Sequence, residues 1–278
     1  MTSYRRTDIL GCPFDVISFS ETVEQIESAV LENGILQVCT ANVDFVMKAR
    51  RDPEFAEVLG RADCVVADGV PIVWAASLLG RPLRGRVNGT DLVWKCAEFS
   101  ARTGSAVALV GSAFQVAQLA ASRMMERFPG ARMHPIRTAF PLGASENAEV
   151  VKSIRSLDTK IVLVALGAPR QDSWIQQHLE ACGANVGIGI GSALDMISGD
   201  KRRAPGWMRD HGLEWFYRML LEPRRLGRRY LIDDSPFLLL LALGVASRVT
   251  GIGRAGLAAA GRPRMTAAAA SGRDSRRS

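Results

Sequence analysis

The chain of 278 residues has no Cys-x-x-Cys pair, and its cysteines number five, at positions 12, 39, 64, 96 and 182. A zinc site of ordinary spacing and a paired disulfide framework are excluded, and a reducing cytoplasm fits. Cys39 and Cys64 lie inside apolar runs and read as small core residues. The three histidines, His134, His178 and His211, are spaced for neither a metal site nor a catalytic triad. No Asp-x-Asp pair occurs, although Asp195 and Asp200 flank a short segment, so the paired carboxylates that hold a divalent metal are missing. The N-terminal stretch MTSYRRTDILGCPFDV has no apolar core of a signal peptide. The longest apolar run, Phe237–Ala246, is about half the ~20 residues of a spanning helix. Contact with a membrane is therefore expected to be peripheral.

What is present is a globular composition, 47% hydrophobic and 23% charged, in a chain long enough for a substantial core. The formal net charge of +7 is gathered towards the C-terminus. Nine Lys and Arg residues stand between Lys201 and Tyr230 against Asp210, Glu214 and Glu222. The segment Gly261–Ser278 carries five Arg and one Asp in an Ala/Gly/Ser background and is expected to be disordered. A basic C-terminal third points to an anionic partner such as phosphates or lipid headgroups. Nucleic acid is not expected, because no helix-turn-helix, zinc or aromatic-sheet signature is found.

Short apolar runs read as buried strands at Ile35–Thr40, Cys64–Ala67, Ala106–Val110, Ile161–Leu166 and Val186–Ile190. Helical spacing covers Val43–Leu59, Ile72–Leu79, Leu92–Ala101, Phe114–Phe128 and Gln171–Ala181, with Ser112 as the expected N-cap of the fourth. The alternation predicts an α/β, Rossmann-like fold: a largely parallel sheet with flanking helices, followed by a basic helical appendage. The expected organisation is an α/β body over residues 1–200 (two lobes, about 1–103 and 104–200, are compatible with it), an appendage over 201–260 and a tail over 261–278. Small and polar residues gather at the carboxyl ends of the strands, where open α/β sheets bind ligands. Thr40, Asn42, Asp68, Gly111, Gly167, Gln171, Gly189 and Gly191 are thereby candidates around one crevice.

Gly187-Ile188-Gly189-Ile190-Gly191 fails the dinucleotide fingerprint, because Ser192 stands at its sixth position. As a strand-to-helix turn it would let a diphosphate approach backbone N–H groups. Asp68 stands at the mouth of a buried strand, a place for a general base or equally for a helix N-cap. Trp215, Phe216, Tyr217 and Tyr230 interleave with arginines, a pattern suited to a membrane interface.

Five ordered blocks resemble the bacterial WecG/TagA/CpsF glycosyltransferase family: TANVDFVMKARRDPEF (40–55), ADCVVADGVPIVWAASLLGRPLRGRVNGTDL (62–92), ALGAPRQDSWI (165–175), GIGSALDMISGDKRRAPGWM (189–208) and GLEWFYRMLLEPRRLGRRYL (212–231). The likeness runs from about Ile9 to about Phe237. It implies an enzyme that moves a sugar with inversion from a UDP-sugar to a polyprenyl-diphosphate-linked saccharide. The sugars in question are N-acetylmannosamine, its uronate, glucose or glucuronate, and the products feed cell-wall polymers, surface antigens or exopolysaccharide. By the same resemblance Asp68 is the catalytic carboxylate and Thr40 and Asn42 form the active-site Thr-x-Asn. Arg86 and Gln171 match substrate-binding positions, and Arg218, Arg225 and Arg228 match the appendage arginines that close over the diphosphate. The family's Gly-Tyr/Phe-Phe turn is replaced here by Thr138-Ala139-Phe140.

The implied chemistry needs a base for the acceptor hydroxyl and cations or N–H groups for the departing UDP. With no paired carboxylates, arginines are expected to meet the leaving group without a metal, and no cofactor is needed. The expected location is cytoplasmic, peripheral on the inner, anionic face of the membrane, and a homo-oligomer is compatible with the sequence. Two other classes compete: a nicotinamide oxidoreductase, disfavoured by the failed fingerprint, and a non-catalytic membrane-surface or nucleotide-binding module.

Overall fold

Six short strands form one parallel sheet; five are apolar runs buried on both faces by helices, and the sixth, at one border, mixes polar and apolar residues. The computed structural model describes residues 4–138, 143–201, 204–210, 213–223, 227 and 232–250. The strands are β3 (Leu36–Ala41), β4 (Cys64–Ala67), β5 (Ala106–Gly111), β6 (Arg132–Ile136), β7 (Thr159–Ala165) and β8 (Val186–Gly189). Their order is β4-β3-β8-β7-β5-β6. The chain builds β3 and β4, crosses to β5 and β6, then returns to fill the centre with β7 and β8. β8 thus lies between β3 and β7, and a crevice opens at the carboxyl ends of these strands.

A small antiparallel hairpin, β1 (Arg6–Ile9) with β2 (Cys12–Asp15), precedes the sheet. It is tied to β4 by Asp15, whose carboxylate accepts from the backbone N–H of Val65 at 2.7 Å and from Arg6 Nε at 3.0 Å and Nη2 at 2.7 Å. One face of the sheet carries α1 (Phe19–Leu31), α5 (Gly89–Thr103), α6 (Phe114–Arg127) and α9 (Ala193–Ser198). The other carries α2 (Val43–Arg51), α3 (Pro53–Arg61), α4 (Val70–Leu78), α7 (Ala144–Ser156) and α8 (Arg170–His178). Alternate strand residues divide between the two faces. Val38 and Val66 join the first core, while Cys39 and Val65 join the second. All five cysteines are buried and unbridged.

The sequence pattern differs from the structure at three places. The single helix expected over Val43–Leu59 is two, because Asp52 caps a new start by accepting from the N–H groups of Glu54 and Phe55, and Pro53 fits the first turn. Ser112 does not cap α6: it takes a positive φ of 61°, and Ala113 holds the cap position. The hairpin, α1, β6, α7 and α9 have no counterpart in the expected pattern.

Beyond the sheet, the appendage contains α10 (Gly206–Asp210), α11 (Glu214–Leu221) and α12 (Pro236–Thr250). Phe237 of α12 is buried in the second core, and Arg248 donates to the carbonyl of Leu78 at 2.8 Å. Among the described residues, no helix is long and apolar enough to cross a membrane. The tail from 261 and the departure at Ala139–Phe140 lie outside the described residues.

Candidate active site

The carboxyl ends of β3, β4, β7 and β8 open into a cavity of about 420 Å³. Thr40, Asn42, Asp68, Arg86, Gly167, Gln171 and Gly191 all line it, so the structure brings seven of the candidate residues together. Each is placed by its element. Thr40, near the end of β3, is buried and donates its hydroxyl to the carbonyl of Gly189 at 2.7 Å, binding β3 to β8 by a side chain. Asn42 caps α2 by accepting from Phe45 N–H at 3.4 Å.

Asp68 follows β4, and its N–H extends the strand ladder to Ala41. The cap of α4 is Gly69, so Asp68 does not hold the capping position. Its Oδ1 instead accepts from Asn88 Nδ2 at 3.1 Å. Asn88 is buried and uses its other end to cap α5, accepting from Thr90 and Asp91 N–H groups at 3.0 and 3.3 Å. One side chain therefore starts a helix and fixes the orientation of a cavity carboxylate.

Sequence reasoning did not single out Asn88. The cap signature Asn-Gly-Thr-Asp is visible in the chain. Its link to Asp68, twenty positions earlier, exists only in the fold.

Gln171, on the first turn of α8, is buried and accepts from Gly191 N–H through Oε1 at 3.1 Å. That N–H, proposed above for a diphosphate, already has a partner. Gly167 adopts φ 73° with open space where a side chain would stand. Gly111 and Gly189 do not line the cavity, and close packing accounts for both. A Cβ at Gly111 would lie 2.7 Å from the carbonyl oxygen of Ala165, and one at Gly189 would lie 2.5 Å from Gln171 Nε2 and 2.6 Å from Asp172 Oδ1.

The mouth is shaped by the appendage. Glu214 and Trp215 of α11 line the cavity, with Lys201 and Asp234. Glu214 pairs with Arg86 at 3.3 Å, both side chains largely buried, at 12% and 22% exposure. Lys201 pairs with Glu222 at 3.6 Å. Arg218 lies on α11, but its side chain, like all of Arg225 and Arg228, is outside the described residues. Among the described residues, no three His, Cys, Asp or Glu side chains come together as metal ligands would.

The profile of the glycosyl transferase WecG/TagA/CpsF family matches residues 7–250. Similar proteins include the N-acetylglucosaminyldiphosphoundecaprenol N-acetyl-beta-D-mannosaminyltransferases of Staphylococcus aureus strains NCTC 8325 and MRSA252. Each is 31% identical over 225 residues, which is 80% of this chain and 87% of the relative. The sheet, the crevice at its carboxyl ends and these likenesses agree: the chain belongs to the WecG/TagA/CpsF family of glycosyltransferases.

Proposed function

We propose that the protein transfers a hexosyl group with inversion from a UDP-sugar to a saccharide carried on a polyprenyl diphosphate. The observation that carries this reading is the Asp68 carboxylate, oriented by Asn88 inside a cavity that opens at the carboxyl ends of four parallel strands. Asp68 takes the proton of the acceptor hydroxyl as its oxygen bonds to the sugar's anomeric carbon. The bond from that carbon to the UDP oxygen breaks on the opposite face, so an α-linked donor gives a β-linked product. Arg86 and Lys201 are the described cations on the cavity wall, and with Arg218, Arg225 and Arg228 they meet the charge growing on UDP. Thr40, Asn42 and Gln171 hold the floor against which the sugar lies. The S. aureus relatives make N-acetyl-β-mannosaminyl products on a diphosphoundecaprenol-linked sugar, which makes UDP-N-acetylmannosamine the first donor to try here.

Metal independence is supported by the missing Asp-x-Asp pair. Peripheral membrane contact is supported by the surface of the appendage. Leu220 and Leu221 of α11 and Leu238, Leu239 and Leu243 of α12 are exposed beside the basic stretch. The site then works at the inner face of the membrane, where a lipid-linked acceptor resides.

The test is UDP release from a panel of UDP-sugars with a polyprenyl-diphosphate acceptor, in chelator and with Asp68→Asn. Turnover should survive EDTA within about threefold, since side-chain cations meet the leaving group. Asp68→Asn should fold, bind UDP and lose about 10²–10⁴ in turnover. A near-normal Asp68→Asn rate would remove the base from this scheme.

A further inference from the structure

Behind the cavity floor lies a carboxyl group that the proposed chemistry does not use. Asp172, the residue after Gln171 on α8, is fully buried, and among the described residues neither of its oxygens makes a hydrogen bond of good geometry, the Cys39 thiol and the Gln171 amide being the donors beside it. Among the described residues no cation pairs with it. The ammonium of Lys48 on α2, the charged group nearest in influence, is already bound to Asp44 at 2.8 Å and to the carbonyl of Ala168 at 2.8 Å. From β3 the only titratable group facing it is the Cys39 thiol, itself buried and held well above its ordinary range by that burial. β8 contributes only Gly189, whose missing side chain leaves the room that the Gln171 amide nitrogen and Asp172 Oδ1 share.

We infer that Asp172 works as a neutral acid, a positioning residue that keeps Gln171 seated against the Gly191 turn. This inference rests on the reading of the cavity as the donor site. The physical argument is one of compensation. A buried carboxylate with no cation to pair with is strongly disfavoured, whereas a protonated carboxyl is a small polar group that packs at modest cost. Burial accordingly pushes Asp172 up to about 7. Once ionised, it accepts hydrogen bonds only and draws in the nearest donors that can move. The Gln171 amide is such a donor: its Nε2 lies beside Asp172 Oδ1 in the space that Gly189 leaves, and a pull on that end of the amide strains the bond its Oε1 accepts from Gly191 N–H. Ionisation of a residue outside the cavity thereby loosens two of the groups that line it.

The experiment compares full-length wild type with Asp172→Asn, which is nearly isosteric and neutral at every pH. In wild type kcat/KM should fall about tenfold between roughly pH 6 and 8.5, whereas Asp172→Asn should stay level across that span. An infrared C=O band of a protonated carboxylic acid should be present in wild type near pH 5.5, fade as pH rises and be missing in the variant. Should Asp172→Asn fail to fold, Asp172→Ser serves the same comparison. Parallel pH profiles in wild type and variant, or no such band in wild type at low pH, overturn the inference. If wild type releases no UDP from any donor, the reading of the cavity falls instead, and the infrared band still decides the protonation of Asp172.

Discussion

Removing Glu214 tests whether the appendage acts through the site or merely beside it. Glu214 reaches from α11 to Arg86 across 128 positions of sequence at 3.3 Å. At an effective dielectric constant of about 20 the attraction of such a pair is on the order of 5 kcal/mol before the cost of desolvating both groups. Desolvation and side-chain ordering offset most of it, leaving about 1–2 kcal/mol for a largely buried pair, or roughly 5- to 30-fold in an equilibrium. The assay is UDP release by Glu214→Gln, Arg86→Gln and the double variant. If Glu214 acts by holding Arg86 at the mouth, Glu214→Gln should lower kcat/KM by about that factor. The double variant should then be no worse than Arg86→Gln alone, because the first change has already broken the pair. Losses that multiply in the double variant would refute the argument, as would a Glu214→Gln enzyme of unchanged rate.

Three further outcomes are expected. Full-length protein should float with phosphatidylglycerol vesicles at low salt and be released at high salt, and truncation after about residue 210 should abolish flotation; a truncated chain that still floats would place the contact elsewhere. Gly187→Ala should lose about 1–3 kcal/mol in denaturant titration, since the added methyl collides with Ile175 and lies 3.3 Å from both Leu179 methyls; an unchanged midpoint would mean that α8 shifts freely. Stability should fall as pH rises from about 4 to about 7 and then level, because over that range unfolding releases the proton that folded Asp172 keeps. The full span is at most about 4 kcal/mol, and Asp172→Asn should lack that slope in melts across the range.

Five of the six strands of the parallel sheet were legible because they are the chain's densest apolar runs and small polar residues follow each of them. The crevice was legible for the same reason, and Thr40, Asp68 and Gln171 emerge where strand ends were expected to meet. β6 was not, because Arg132-Met133-His134-Pro135-Ile136 carries polar residues and a proline and so lacks an apolar period. α1 begins at a capping box, Ser18 with Glu21, whose signature is local and readable, yet its run is too polar to stand out. The break at Asp52-Pro53 was legible in principle, since a proline preceded by aspartate announces a start as readily as it interrupts. Glycine was the hardest residue to read. Gly111, Gly167, Gly189 and Gly191 look alike in sequence, but two of them face the cavity while the other two make room for neighbouring elements. Only tertiary contacts separate the two kinds. The same holds for Asn88 and Asp172, whose partners and surroundings lie on other elements.

The two outermost strands bear on how copies of this chain can meet. An unpaired strand border is a template for adding another strand, and proteins commonly block it. At β4 the outward N–H of Val65 is already consumed by the Asp15 carboxylate, which Arg6 holds in turn. At β6 the blocking residue is Pro135, whose ring nitrogen has no hydrogen to offer an incoming chain. Neither border of the sheet is therefore a ready seam for growth by strand pairing. Self-association, where it occurs, is left to surfaces other than the borders of this sheet.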